Sequence, residues 1–501
     1  MPSRPNVLII KADQHNARCL GVNGHRQVRT PNLDALAASG VNFTHAFVQN
    51  PICTPSRMCY LTGQYVHNHG IYGLSLMPNP DDPIPPTLPS LFSVCHAQGY
   101  RTGIIGHIHV RKDWIGPHCD MYRDLHENVE PYDPYYPHNP YSQYLQAKGL
   151  LQQRDDEAYK GIVQTLDACP SELSFLNSYE GYCAQSFEEF LHQTPPGQPF
   201  LYQIDTVHPH QDYIPAKEFW DLYEGMELEL PPSADEDLSG KPPHHQGTMA
   251  WTHTYEGVFE PKGYRHVRLR KLRGYYGCIS QVDHMVGLAR QMLRTRGLEE
   301  NTIVVYCADH GDFALEHGFL EKAPGISYAA ILRTPFIWAW PAGGLAKGTV
   351  HELVESVDVF PTLCQLAGLP VPDTVDGKDI SPMLRGNARP LREFVVAEFP
   401  LSRTIRTRDW KLCHRPRGMF GDGKDHGELY HVAEDPWEMK NLYDDPRYRD
   451  TRENLRRTLF DWTQLTTRYG NVWPHVPLSA DNKIPLAKFQ EMLDKRMTNY
   501  L

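Results

Sequence analysis

The sequence predicts an α/β protein, a large mixed and mostly parallel sheet flanked by helices, with a smaller α+β domain at the C-terminal end. Three observations carry this reading. Apolar, β-branched runs recur at 6–10, 41–47, 102–105, 200–204, 302–307 and 335–340, each ending in polar or glycine residues. Helix-like segments lie between several of them, the alternation expected of a parallel sheet with crossover helices. The rhythm then stops near Asn387–Arg389, where shorter runs take over. A length of 501 residues suits one large core plus an appended unit.

In chain order, Thr30-Pro31 followed by Asn32–Ala38 and Gly40 reads as a helix with a threonine N-cap, proline at the first turn and a stopping glycine. A second helix is expected at 283–296, ahead of Gly297 and the run at 302. Residues 122–144 are crowded with Tyr and Pro, and residues 230–264 with Pro, Gly and His. Both read as irregular insertions, set within wider breaks at about 111–199 and 230–265, and such segments often rim a binding site. The expected division is 1–386 for the large α/β unit, 387–470 for the α+β unit and 471–501 for a tail. The α+β unit carries runs at 404–413 and 428–432 and a helix at 452–465. The tail carries one expected helix, 486–497, and is long enough to be exchanged between copies in a homo-oligomer.

Composition excludes several classes. Forty-nine basic against sixty acidic residues give a net charge of −11, which argues against nucleic acid as the partner. No apolar run approaches the roughly 18 residues that span a bilayer, so no membrane role is expected. Met1–Pro5 passes directly into the first apolar run without a signal-like segment, and a cytoplasmic location is the expectation. The cysteines (19, 53, 59, 95, 119, 169, 183, 278, 307, 364 and 413) are odd in number, form no Cys-x-x-Cys pair, and read as free thiols. No Cys/His group has structural-zinc spacing.

In open α/β sheets ligands collect at the carboxyl ends of strands. The first run delivers Asp13-Gln14, the third His107 and His109, the fourth His208-Pro209-His210, and the fifth Asp309-His310-Gly311-Asp312. Singly, such residues are more often caps, turns or packed side chains; together they mark a site. The most informative segment is Cys53-Thr54-Pro55-Ser56-Arg57-Met58-Cys59-Tyr60-Leu61-Thr62-Gly63. Thr54 and Pro55 suit an N-cap and first helical position, which places Cys53 where free N–H groups favour an anion. Arg57 returns to the same face one turn on.

That segment resembles the signature of type I sulfatases, the formylglycine-dependent branch of the alkaline phosphatase superfamily. The resemblance covers most of the chain. Residues 6–14 are similar to the opening metal-binding strand, and 30–47 to a Thr-Pro-Asn-Leu-Asp stretch. Pro209-His210, with Tyr213 and Pro215, resembles the Pro-His segment, and 301–318 an Asp-His-Gly-Asp segment, with Lys322 at an active-site lysine position. Asp358–Leu363 and the segment from Asp435-Pro436 to Asn441-Leu442 are similar to later parts of the family.

The resemblance implies an alkaline phosphatase-like fold and a sulfuric ester hydrolase that cleaves a small-molecule or carbohydrate sulfate ester. It implies that Cys53 is oxidised by a formylglycine-generating enzyme to an aldehyde whose hydrate is the nucleophile. Asp13, Gln14, Asp309 and His310, with modified Cys53, would bind one divalent cation, Ca²⁺ before Mn²⁺ or Mg²⁺. Arg57 would stabilise the alkoxide. His210 and Lys322 would clamp the ester oxygens and assist the leaving alcohol, and His109 would deprotonate the second hydroxyl of the covalent intermediate.

Two departures weigh against a simple match. Relatives commonly carry lysine where this chain has His107, and a second aspartate where it has Gln14. An unperturbed histidine ionises near 6.5 against about 10.4 for lysine. Beside a cation and Arg57, His107 is expected to be a neutral donor to the oxyanion. The Asp-Gln and Asp-His pairs also resemble phosphonate monoester and phosphodiester hydrolases, the alternative activity; a silent anion- or metal-binding relative is the third reading. Asn68, His69 and Tyr72 lie just beyond the Cys53 helix and are candidates to touch substrate.

Overall fold

The structure is a computed structural model and describes residues 4–73, 87–125, 139–154, 168–248, 265–323, 325–387 and 389–468. Its centre is an eight-stranded sheet ordered β5-β4-β6-β1-β7-β8-β2-β9. The strands are β1 (Asn6–Asp13), β2 (Val41–Phe43), β4 (Arg101–Gly106), β5 (Met121–Asp124), β6 (Phe200–Pro209), β7 (Thr302–Ala308), β8 (Phe336–Ala339) and β9 (Gly348–Val350). From β5 to β7 every pairing is parallel; β8 runs antiparallel to both β7 and β2. β1 is buried along its whole length because both faces are covered. Val7 and Ile9 pack into one core with Met58, Phe92 and Phe360, while Leu8 and Ile10 pack into another with Leu36, Phe187 and Val286. Period-two alternation thus feeds two apolar layers, as expected for a doubly covered parallel sheet.

The run at 41–47 divides: β2 joins the large sheet, and β3 (Ala46–Phe47) pairs with β10 (Val354–Glu355). The helix expected at 283–296 is the second half of a 31-residue helix, Arg265–Thr295. The helix at Pro31–Ala38 forms, but Thr30 does not cap it. Its hydroxyl binds Gly21 and Asp34, and the orphan N–H groups of Asn32 and Leu33 instead meet the Asp283 carboxylate at 3.2 and 2.7 Å. Nor is 111–199 an insertion throughout. β5 belongs to the main sheet, and helix Tyr179–Gln193 packs Phe187 and Phe190 on Tyr202 of β6. The Tyr/Pro-rich centre at 126–138, the stretch 249–264 and the tail with its expected helix and exchange arm lie outside the described residues.

Beyond residue 387 a four-stranded antiparallel sheet forms from β11 (Val395–Phe399), β12 (Ser402–Arg406), β13 (Trp410–His414) and β14 (Glu428–His431). The expected single run at 404–413 is the β12–β13 hairpin. Helix Arg449–Thr466 lays Leu455, Leu459 and Trp462 on this sheet. Among the described residues no helix is long and apolar enough to cross a membrane.

One glycine controls where the end of β4 points. Gly106 has φ 121°, and a Cβ there would lie 1.8 Å from the carbonyl oxygen of Asp205. Gly106→Ala should therefore destabilise by more than the roughly 1–3 kcal/mol of backbone strain alone. Gly240→Ala, where a Cβ meets nothing within 4 Å, is the neutral comparison. Equal melting temperatures for the two variants would refute this account of the β4 end.

Candidate active site

Sheet register builds the site. β1 and β7 are parallel with Ala12 opposite Ala308, so Asp13 and Asp309 leave the sheet side by side. Gln14 turns the chain in the left-handed region at φ 71°, and its N–H donates to Asp309 Oδ1 at 3.1 Å. His310 is next in the chain, and its Nδ1 lies 2.9 Å from the Gly311 carbonyl. A carbonyl only accepts, so Nδ1 carries the proton and Nε2 presents a lone pair. That lone pair faces Asp13 Oδ1 at 3.6 Å, Asp309 Oδ1 at 3.8 Å and Cys53 Sγ at 3.2 Å.

Cys53 is the first residue of helix Cys53–Thr62 and Ile52 is its N-cap, two residues earlier than the Thr54-Pro55 pattern predicts. The helix end still faces the carboxylates, with Cys53 Sγ 3.9 Å from Asp13 Oδ1. Ser56 donates its hydroxyl to the Asp309 carbonyl. Arg57, one turn on and fully buried, reaches three carboxylates: Asp13 Oδ2 at 2.7 Å, Asp309 Oδ2 at 2.8 Å and Asp205 Oδ2 at 3.5 Å. Beneath it Lys11 pairs with Asp205 at 3.1 Å, both almost wholly buried.

The electrostatics of the site are set by this packing. Burial and the Asp309 charge push Asp13 up, while the surrounding cations lower it. Burial opposes ionisation of Asp309 as well, but His310, Arg57 and Lys11 hold it below the usual carboxylate range. Burial brings His310 down to about 4 against the pull of both carboxylates, so its imidazole is neutral at pH 7. Burial and the Asp13 charge push the Cys53 thiol up. Asp13, Cys53, Asp309 and His310 present ligand atoms all within 4.8 Å of one another, a buried donor set that fits a divalent cation.

Opposite this group, Lys322 Nζ donates to Gln14 Oε1 at 2.8 Å and meets His210 Nε2 at 3.0 Å. An ammonium only donates, so His210 Nε2 accepts, and His210 Nδ1–H donates to Gln211 O at 2.7 Å. Burial and Lys322 bring His210 down to about 3. Burial works against the Lys322 charge, yet Cys53, Asp13 and Asp309 raise it on balance. His107 and His109 do not extend β4, which ends at Gly106. His109 takes φ 51°, and the two rings come to rest 3.6 Å apart, with His107 Nε2 3.8 Å from Asp13 Oδ2.

The structure therefore brings together Asp13, Gln14, Cys53, Arg57, His107, His109, His210, Asp309, His310 and Lys322. It does not bring Asn68, His69 and Tyr72 to them. Asn68 bonds Asp376, the Thr466 carbonyl and the Arg468 N–H; His69 Nε2 meets Cys59 Sγ at 3.2 Å; Tyr72 accepts from Arg403. Asn68 and Tyr72 are thus tied toward the C-terminal elements, and His69 back to the Cys53 helix. Sequence reasoning missed the Lys11–Asp205 pair; Asp312, which it placed at the strand end without a role, accepts from both Gln14 and Tyr213. The signal for the pair was a lysine continuing an apolar strand that is buried on both faces, where a cation needs a partner.

Lys11→Met should leave Asp205 with only the longer Arg57 contact and the Gln203 amide, and cost up to about 3–5 kcal/mol, the range for breaking a buried pair. Lys11→Met/Asp205→Leu should recover much of it, because Arg57 keeps two carboxylates. Denaturation midpoints of the two variants test this, and additive losses would show that the pair is not coupled.

Comparison with known proteins agrees with the geometry. A sulfatase family model matches residues 5–369, and a model described as N-sulphoglucosamine sulphohydrolase, C-terminal, matches residues 315–464. The arylsulfatase of Clostridium perfringens is 27% identical, over 91% of this chain and 94% of its own. Among solved structures, a phosphonate monoester hydrolase from Silicibacter pomeroyi superposes with a TM-score of 0.77 at 19% identity, covering 95% of this chain and 98% of its own. A protein solved with its substrate D-glucosamine-2-N,6-O-disulfate superposes at 0.72 and 20% identity, covering 94% and 100%. The two structural likenesses establish a shared fold, and the family model establishes membership: the chain belongs to the sulfatase family, hydrolases of sulfate esters.

Proposed function

We propose that this chain hydrolyses a small-molecule or carbohydrate sulfate monoester to an alcohol and sulfate, using a formylglycine made from Cys53 and one divalent cation. The observation that carries the reading is the seat of Cys53, at the first turn of a buried helix between two carboxylates, the His310 lone pair and the Arg57 cluster. In the unmodified chain, Sγ stands where the oxygens of the hydrated aldehyde would be. The thiol itself is poorly suited to attack, because burial and the Asp13 charge favour its protonated form.

Asp13, Gln14, Asp309 and His310 would hold the cation; oxygen donors with a single imidazole favour Ca²⁺, then Mn²⁺ or Mg²⁺. Bound there, it would supply Lewis-acid stabilisation of negative charge on the nucleophile and the ester. The chain's own groups do the rest. Arg57 is fixed by three carboxylates and needs no reorganisation to stabilise developing charge at residue 53. Lys322 keeps its charge and, with neutral His210 as acceptor, is the group able to bind an ester oxygen and yield a proton to the leaving alcohol. His107 would donate to the sulfuryl oxygens, and His109 would take the proton that releases sulfate. The arylsulfatase relative and the sulfated-sugar complex of a fold neighbour both support the substrate class.

After co-expression with a formylglycine-generating enzyme, tryptic mass analysis should find an alkylation-resistant aldehyde peptide spanning Cys53. Cys53→Ala should abolish turnover; wild-type activity in that variant would overturn the mechanism. Asp309→Ala should lose this cation and activity together, and elemental analysis showing undiminished metal would place the ion elsewhere. Given sulfate, phosphonate and phosphate esters of one leaving group, the enzyme should prefer sulfate. Preference for the phosphonate would move it to the alternative activity.

A further inference from the structure

Asp13 has two carboxylate oxygens, and they face different neighbours. Oδ1 is turned toward His310 Nε2 at 3.6 Å and Cys53 Sγ at 3.9 Å. Oδ2 is turned toward Arg57 Nη2 at 2.7 Å and, on another side, His107 Nε2 at 3.8 Å. The His109 ring lies against that of His107 with centroids 3.6 Å apart, so one nitrogen of each ring and one Asp13 oxygen all fall within 4.8 Å of one another. We infer that His107, His109 and Asp13 form a second cation site, for a late first-row divalent ion of the Zn²⁺ class, with Asp13 bridging it to the first.

The donor chemistry separates the two sites. Asp13, Gln14, Asp309 and His310 supply mainly oxygen and suit a hard ion. Two imidazoles and one carboxylate suit Zn²⁺ or another borderline transition ion and leave a position open to solvent or substrate. Tetrahedral zinc with bonds of about 2.0–2.1 Å sets its ligand atoms about 3.3 Å apart. The 3.8 Å between His107 Nε2 and Asp13 Oδ2 is therefore closed by a small side-chain adjustment. The intervening loop brings the imidazoles to this carboxylate although β4 has already ended, with His109 at φ 51°.

An imidazole nitrogen that binds a cation has no lone pair left for a proton. A filled second site would withdraw His109 from its role as base in sulfate release. Occupation and turnover then oppose each other, and excess Zn²⁺ should slow hydrolysis.

Metal-stripped full-length protein titrated calorimetrically with Zn²⁺ tests the site without reference to activity. His107→Gln and His109→Gln should each bind one equivalent fewer than wild type. Asp309→Ala, which weakens the first site, should keep the equivalent that the two histidine variants lose. X-ray absorption of zinc-loaded wild type should show more imidazole ligands per ion than the single His310 can provide. If both histidine variants fold, as judged by thermal melting, and bind as many equivalents as wild type, the second site does not exist. Should one variant fail to fold, the other and the imidazole count decide. A wild-type protein that takes up one equivalent with a single imidazole overturns the inference. Because Asp309→Ala reports on the first ion separately, loss of the second site leaves the sulfatase reading standing, and the reverse.

Discussion

The guanidinium of Arg57 is the constraint on which the site depends. Three strands, β1, β7 and β6, each send a carboxylate to it, and a helix from a distant part of the sequence supplies the arginine. Three carboxylates so close would repel one another strongly in a medium where water is excluded. Arg57 and Lys11 make their approach tolerable, and the planar fork of the guanidinium fixes the angle at which they approach. The same bonds pin the first turn of the Cys53 helix to the sheet. The position of Cys53 is thus a consequence of charge pairing beneath it.

The imidazoles obey one rule twice. His310 and His210 each donate Nδ1–H to the carbonyl of the next residue, Gly311 and Gln211, and each turns a bare Nε2 inward. Burial keeps both neutral. The two lone pairs face different partners: one the donor group that would hold a cation, the other the Lys322 ammonium. A histidine that could protonate at neutral pH would repel either partner, so the low proton affinity created by burial is a condition for the arrangement.

Much of this was legible in the sequence, and the reasons are specific. Parallel strands buried on both faces must read as apolar runs, and the residues just beyond their carboxyl ends must lie at one edge of the sheet. Asp13, His210, Asp309 and His310 were visible for that reason, and Cys53 with Arg57 because helical spacing places them on one face. The first apolar run was read only as far as Ile10, so Lys11 fell outside it and its partner Asp205 went unnoticed. Thr30 has the chemistry of a cap, but Asp283, some 250 residues away, takes that role, and no local pattern records such a partner. Residues 111–199 looked like an insertion because the four-residue β5 is too short to give a periodic signal. Asn68, His69 and Tyr72 come after the Cys53 helix in sequence, yet the chain there turns toward the C-terminal sheet and helix.

The end of β4 shows how such a site acquires its own character within a shared fold. A strand that continued would place His107 and His109 on one face two residues apart, as the sequence alone suggests. Gly106, at a φ open to few other residues and in contact with the Asp205 carbonyl, stops the strand and turns both rings toward Asp13. Asp205 therefore acts on both sides of the site: its side chain holds Arg57 and Lys11, and its backbone forbids a side chain at Gly106. Exchanging a lysine for His107 on this turn replaces a fixed charge by a lone pair or an N–H, according to the tautomer. In the proposed reaction the oxyanion then meets an imidazole in place of a permanent cation.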